Sequence, residues 1–119
     1  MAKAKIKFLY KPTCTSCRKS KALLEQKRVE LELRDLAKER MSAYELDQLI
    51  GDRDYRKFLN PRNELYRKRK MRKKPPSRAE ALKLMAAEPN LIRRPVVQRG
   101  AEIVLGYDEA ALVKLAMQG

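Results

Sequence analysis

The chain has 119 residues, 44% of them apolar, and its 29 Lys and Arg outweigh 15 Asp and Glu to give a formal charge of +14 with no histidine. That length supports one core rather than two. No apolar run approaches the roughly 20 residues of a membrane span, and the opening Met1-Ala2-Lys3-Ala4-Lys5 lacks the apolar segment of a secretory leader. Two cysteines without histidine also fall short of the about four ligands of a tetrahedral zinc site. The expectation is a single cytoplasmic domain over 1–119, monomeric, with no metal and no membrane contact.

Lys5-Ile6-Lys7-Phe8-Leu9-Tyr10 alternates, with Ile6, Phe8 and Tyr10 on one side, and reads as a first strand that Pro12 ends. From Thr15 to about Lys27 there is neither Gly nor Pro, and Ala22, Leu23 and Leu24 form a helical stripe. Val29-Glu30-Leu31-Glu32-Leu33-Arg34 alternates strictly and predicts a second strand. Two strands joined through a helix imply a parallel pair with a right-handed crossover.

Both cysteines fall at the first strand-to-helix junction, in Lys11-Pro12-Thr13-Cys14-Thr15-Ser16-Cys17-Arg18-Lys19-Ser20. Cys14 is placed at the carboxyl end of the first strand, where open α/β sheets hold their ligands. Unpaired backbone N–H groups, the positive end of the helix dipole and the cations Lys11, Arg18 and Lys19 all favour a thiolate there. Cys17 follows one helical turn later, close enough to attack a mixed disulfide or sulfenic acid formed at the first sulfur. This predicts Cys14 as nucleophile and Cys17 as resolving thiol. The plain alternative is a pair of semi-buried structural cysteines on a helix.

Ser42-Ala43-Tyr44-Glu45 is a capping box, continued by Leu46, Leu49 and Ile50 and closed by Gly51. A basic window follows. From Arg53 to Arg78 twelve Lys or Arg face only Asp54 and Glu64, so +10 of the net charge lies there and +4 in the remainder. Its apolar anchors are Tyr55, Phe58, Leu59 and Leu65, which suggests short helices or partly ordered loop. Within it, Tyr66 to Lys74 is basic at seven of nine positions, either a solvated face or a docking surface for a polyanion.

Pro75-Pro76 halts that run, and Ser77-Arg78-Ala79-Glu80 is a second capping box, opening a helix with Leu82, Met85 and Ala86 on one face until Pro89. Leu91 to Gln98 is predicted as an apolar strand entered through Pro95. Arg99-Gly100-Ala101-Glu102 turns it into a short antiparallel partner, Ile103-Val104-Leu105. Asp108 caps a last helix with Leu112, Leu115 and Ala116 facing inward. The order of elements predicts an α/β (α+β) thioredoxin-like sheet with a helical insertion, at about 40–90, between the second and third strands.

Cys14-Thr15-Ser16-Cys17-Arg18-Lys19, Leu91-Ile92-Arg93-Arg94-Pro95 and Gly106-Tyr107 occur in this order in one domain, and in this the chain resembles the arsenate reductase and Spx family of thioredoxin-like proteins over nearly its whole length. The resemblance implies a four-stranded mixed sheet and a cis peptide bond at Pro95 beside the cysteine loop. It implies Cys14 as the nucleophile toward an oxyanion or a disulfide, and Arg94 and Arg62 as anion-binding residues. It also implies glutathione and glutaredoxin as external reductants, with no bound cofactor. Arsenate reductases of this kind carry a further arginine where this chain has Tyr107, and a histidine ahead of the cysteine, whereas the two-cysteine loop is that of Spx. Spx-like proteins bind the C-terminal domain of the RNA polymerase α-subunit and use the cysteine pair as a disulfide switch. Three functions follow as expectations: a thiol-dependent oxidoreductase, a redox-sensing regulator with RNA polymerase as its partner, or a nucleic-acid-binding module acting through Arg67–Lys74.

Overall fold

The computed structural model describes residues 5–117, and the opening from Met1 to Ala4, read above for a leader, lies outside them. The chain separates into two compact units: residues up to Leu36 together with those from Arg94 onward, and Ala37–Arg93. The second unit coincides in sequence with the insertion.

In the first unit four strands form one sheet: β1 (Ile6–Tyr10), β2 (Leu31–Asp35), β3 (Val96–Arg99) and β4 (Glu102–Leu105), in the order β2-β1-β3-β4. β1 and β2 are parallel with Ile6 opposite Leu31, while β3 runs antiparallel to both β1 and β4. Between β1 and β2 runs α1 (Thr15–Gln26), and after β4 comes α5 (Glu109–Ala116). Ile6 and Phe8 from β1 and Val97 from β3 join Leu24 of α1 and Leu112, Leu115 and Ala116 of α5 in one core. The alternation seen in the sequence thus marks the helix-covered face. Leu9, from the opposite face of β1, is buried as well, as suits a central strand.

The Asp108 carboxylate accepts the Ala111 N–H at 3.1 Å and starts α5 as expected. The other end of α5 is closed by Arg99, which the sequence places in a turn and the structure buries. Its Nη1 donates to the carbonyls of Leu115 and Ala116 at 3.0 and 3.2 Å, where the helix dipole is negative.

The second unit holds α2 (Ala43–Ile50), a 3-10 turn at Tyr55–Phe58, α3 (Glu64–Lys68), α4 (Arg78–Ala87) and a further 3-10 turn at Pro89–Leu91. The Ser42 box is complete, with Ser42 Oγ accepting from Glu45 N–H and Glu45 accepting from Ser42 N–H. At α4, Ser77 Oγ accepts the Glu80 N–H, while the Glu80 carboxylate pairs with Arg69. Arg78 ties α4 to α2 by donating through Nε and Nη2 to Asp47 Oδ1 at 3.1 and 2.9 Å.

The third strand is shorter than expected. Leu91 lies in the 3-10 turn, and Ile92 forms an isolated antiparallel bridge with Leu59, reinforced by Arg93 N–H on the Phe58 carbonyl at 2.8 Å. These residues are buried, but in the core of the second unit. An apolar run alone does not distinguish a sheet strand from another buried segment, and Pro95 has no N–H to give a ladder.

Arg99→Met is expected to lower stability by about 2 kcal/mol, because two carbonyls at a buried helix end lose a charged donor. The exposed Arg93→Met is expected to change it by less than about 0.5 kcal/mol. Urea denaturation of the two variants against the parent checks the difference.

Candidate active site

β1 ends at Tyr10, and the chain turns immediately, with Cys14 N–H donating to the Lys11 carbonyl at 3.1 Å. Cys14 keeps extended backbone angles (φ −87°, ψ 119°) and is the N-cap of α1. Its Sγ accepts the backbone N–H of Cys17 at 3.3 Å, and its carbonyl accepts the N–H of Arg18 at 3.1 Å. The sulfur therefore occupies the place that a Ser or Asp oxygen usually takes, against amides left over by the helical ladder. The first turn of α1 carries no acidic residue. Arg18 Nε donates to the Pro12 carbonyl at 3.2 Å and closes the loop on itself.

The two sulfurs differ in environment. Cys14 is half-buried, whereas Cys17 is 2% exposed, and both are free thiols. Burial pushes the Cys17 thiol up to about 12 from its ordinary 9.0, and its hydrogen bond with Cys14 and the negative charge there push the same way. A backbone hydrogen bond from Lys11 and the positive charge of Arg94 act in the opposite sense. Arg94 is thus close enough to the cysteine pair for its charge to be felt.

The sheet register explains why. Leu9 stands opposite Val96, so the start of β3 lies beside the end of β1, and the Arg94-Pro95 peptide and the cysteine loop leave the two inner strands at the same end of the sheet. That peptide is cis, and the Pro95 carbonyl accepts the N–H of Gly106 at 3.0 Å. After β4, Tyr107 is 41% exposed, with Lys19 Nζ 5.9 Å from its ring centroid. That distance is within reach of a cation–π contact. The sequence shows both residues but nothing that pairs them, since they approach only through the sheet.

Cys14, Cys17, Arg94 and Pro95 are therefore brought together in the first unit. Arg62 belongs to the second: it is exposed on the turn before α3, and its backbone N–H donates to Asn60 Oδ1 at 3.0 Å. Among the described residues no group of three or more His, Cys, Asp or Glu is placed to hold a metal ion, and no helix is long and apolar enough to cross a membrane.

A strand-loop-helix cysteine site on a four-stranded mixed sheet, with a cis-proline at the neighbouring strand, defines a thioredoxin-like α/β protein. The ArsC family model matches residues 9–115, and the chain belongs to that family. It is 29% identical over 111 residues to the regulatory protein MgsR of Bacillus subtilis, covering 92% of this chain and 88% of the other. It is 26% identical over 100 residues to the global transcriptional regulator Spx 2 of Lactococcus lactis, covering 82% and 76%. The crystal structure of a possible arsenate reductase from Streptococcus mutans superposes with a TM-score of 0.73 at 28% identity, over 87% of this chain and 92% of that one.

Alkylation by iodoacetamide at pH 8, followed by peptide mass spectrometry, is expected to label Cys14 and leave Cys17 unmodified. Stability should also carry a signature of Cys17. The folded chain keeps its proton where the unfolded chain releases it, so this contribution is whole below about pH 9 and is lost as the pH rises toward 12. Urea midpoints measured from pH 8 to pH 11 are expected to fall more steeply for the parent than for Cys17→Ala.

Proposed function

We propose that this protein is a thiol-dependent oxidoreductase in which the Cys14 sulfur attacks and Cys17 resolves. The observation that carries the reading is the placement of one accessible sulfur as the cap of α1, with a second, shielded thiol one turn behind it. An attacking sulfur needs access and donors that stabilise negative charge. A resolving thiol needs proximity and must stay inert until it is wanted.

The causes of the Cys17 shift supply that timing. Two of them, the hydrogen bond with Cys14 and the charge on it, weaken once the Cys14 sulfur has bonded to a substrate. Bond formation at the first sulfur then makes the second easier to deprotonate, although burial, the largest cause of the shift, still holds its pKa up.

With arsenate as the oxyanion, the Cys14 sulfur bonds to arsenic as water leaves. The Cys17 sulfur, giving up its proton, then attacks Cys14. A disulfide forms, the electron pair of the sulfur–arsenic bond returns to arsenic, and arsenite departs. Glutathione or glutaredoxin in a reducing cytoplasm restores both thiols, and no bound cofactor is needed. Arg94, in the same unit as the cysteines, holds the negative charge with forked N–H donors, the role that the family resemblance also gives to Arg62. A disulfide substrate follows the same two displacements with a thiol as leaving group.

The regulators among the relatives favour a second reading, in which the Cys14–Cys17 disulfide is the signal and the RNA polymerase α-subunit its receiver. Arsenate reduction coupled to glutathione and glutaredoxin separates the two. The enzyme reading expects turnover that Cys14→Ser reduces to background and that Cys17→Ser retains in part, glutathione replacing the resolving thiol. No turnover, together with oxidation-dependent binding to the C-terminal domain of the polymerase α-subunit, assigns the protein to the regulators.

A further inference from the structure

The second unit carries a surface that the thiol chemistry does not use. Of the nine residues from Tyr66 to Lys74, the seven Lys and Arg are all exposed. Met71, 2% exposed, is buried in their midst. The run is folded: Arg69 N–H donates to Leu65, Lys70 to Arg67, Met71 to Tyr66, and Lys73 and Lys74 both donate to the Lys70 carbonyl, at 2.9 to 3.2 Å. A short helix and the turns that follow it, pinned by one methionine, present a crowd of like charges that would spread apart in a loose chain.

Only part of this charge is neutralised. Lys68 pairs with Glu64 and Arg69 with Glu80, each at 2.9 Å. Among the described residues no carboxylate stands within ion-pair distance of Arg67, Lys70, Arg72, Lys73 or Lys74. Holding five such cations together costs energy through mutual repulsion, which a polyanion relieves.

The surroundings narrow the polyanion. The large apolar side chains exposed in the described structure are Leu33, Tyr44, Tyr107 and Met117, none of them in the basic window. A protein partner would need an apolar or aromatic centre to the patch. Single-stranded nucleic acid would need aromatic platforms, and Tyr66 alone is half-buried. α3 has five residues and offers no length of helix to lay in a major groove. What remains is contact with phosphates and no reading of bases.

The geometry points to a docking surface at Arg67–Lys74 for the phosphodiester backbone of duplex nucleic acid, bound without sequence preference. It is independent of Cys14 and Cys17. Fluorescence anisotropy with a labelled 20-base-pair DNA duplex between 50 and 200 mM salt tests it, with a matched RNA duplex showing which backbone is preferred. Binding should weaken steeply with salt. In a variant carrying Lys70→Gln, Arg72→Gln, Lys73→Gln and Lys74→Gln, affinity should fall about a hundredfold, and the slope of log K against log salt should drop by about three. An equal neutralisation elsewhere (Lys7→Gln, Lys27→Gln, Lys38→Gln and Lys83→Gln) should leave more affinity than that variant, and Cys14→Ser should bind like the parent. Circular dichroism establishes that each variant is folded. Equal losses in the two quadruple variants, no binding at 50 mM salt, or displacement by polyglutamate as effective as by duplex would overturn the assignment.

Discussion

The contact on which the first unit depends runs from the Cys17 amide to the Cys14 sulfur. It exists because two demands meet in four residues. The burial of Ile6, Phe8 and Leu9 fixes where β1 must end, and Leu24 on the same core fixes the phase with which α1 must begin. Pro12 and the Lys11 carbonyl make the turn between them tight enough that the residue at its end becomes the helix cap. A serine would satisfy that position structurally. The cysteine satisfies it with sulfur, so the fold itself sets a thiol at a helix N-terminus, the geometry that the proposed chemistry requires.

The second unit is built differently. Its helices are tied by polar contacts at their ends, with the Ser42 box, the Arg78–Asp47 pair and the Tyr55 hydroxyl on the Pro76 carbonyl at 2.7 Å. Phe58, Leu59, Met71, Leu91 and Ile92 supply buried apolar area among them. Distributed anchoring of this kind lets the stretch from Arg53 to Arg78 carry +10 of net charge and still fold, because the basic side chains around Phe58 and Met71 need only reach solvent.

Much of this was legible in the sequence where the signal was local. Alternation over Ile6–Tyr10, the Ser42 to Glu45 spacing and the aspartate before the last helix each depend on neighbours within four residues, and the strand and the caps stand where these predict them. Cys14 at the end of β1 followed from the same kind of reading. What escaped depends on partners far away in sequence. Met71 reads as an interruption in a charged run until its burial is seen, Arg99 as a turn residue until α5 arrives at its guanidinium, and Leu91-Ile92 as a strand until Leu59 takes up the pairing. The depth of Cys17 was invisible for the same reason: burial and the charge of Arg94 reach it through space.

The cap at Cys14 has a mechanical side as well. A sulfur that forms a covalent bond to a second heavy atom gives up charge and much of its strength as an acceptor, and N-caps contribute about 0.5 to 2 kcal/mol to the helix they start. Any adduct at Cys14 therefore loosens the first turn of α1, the turn that carries Cys17, Arg18 and Lys19. The cap thus makes the start of that helix depend on the bonding state of a single sulfur atom.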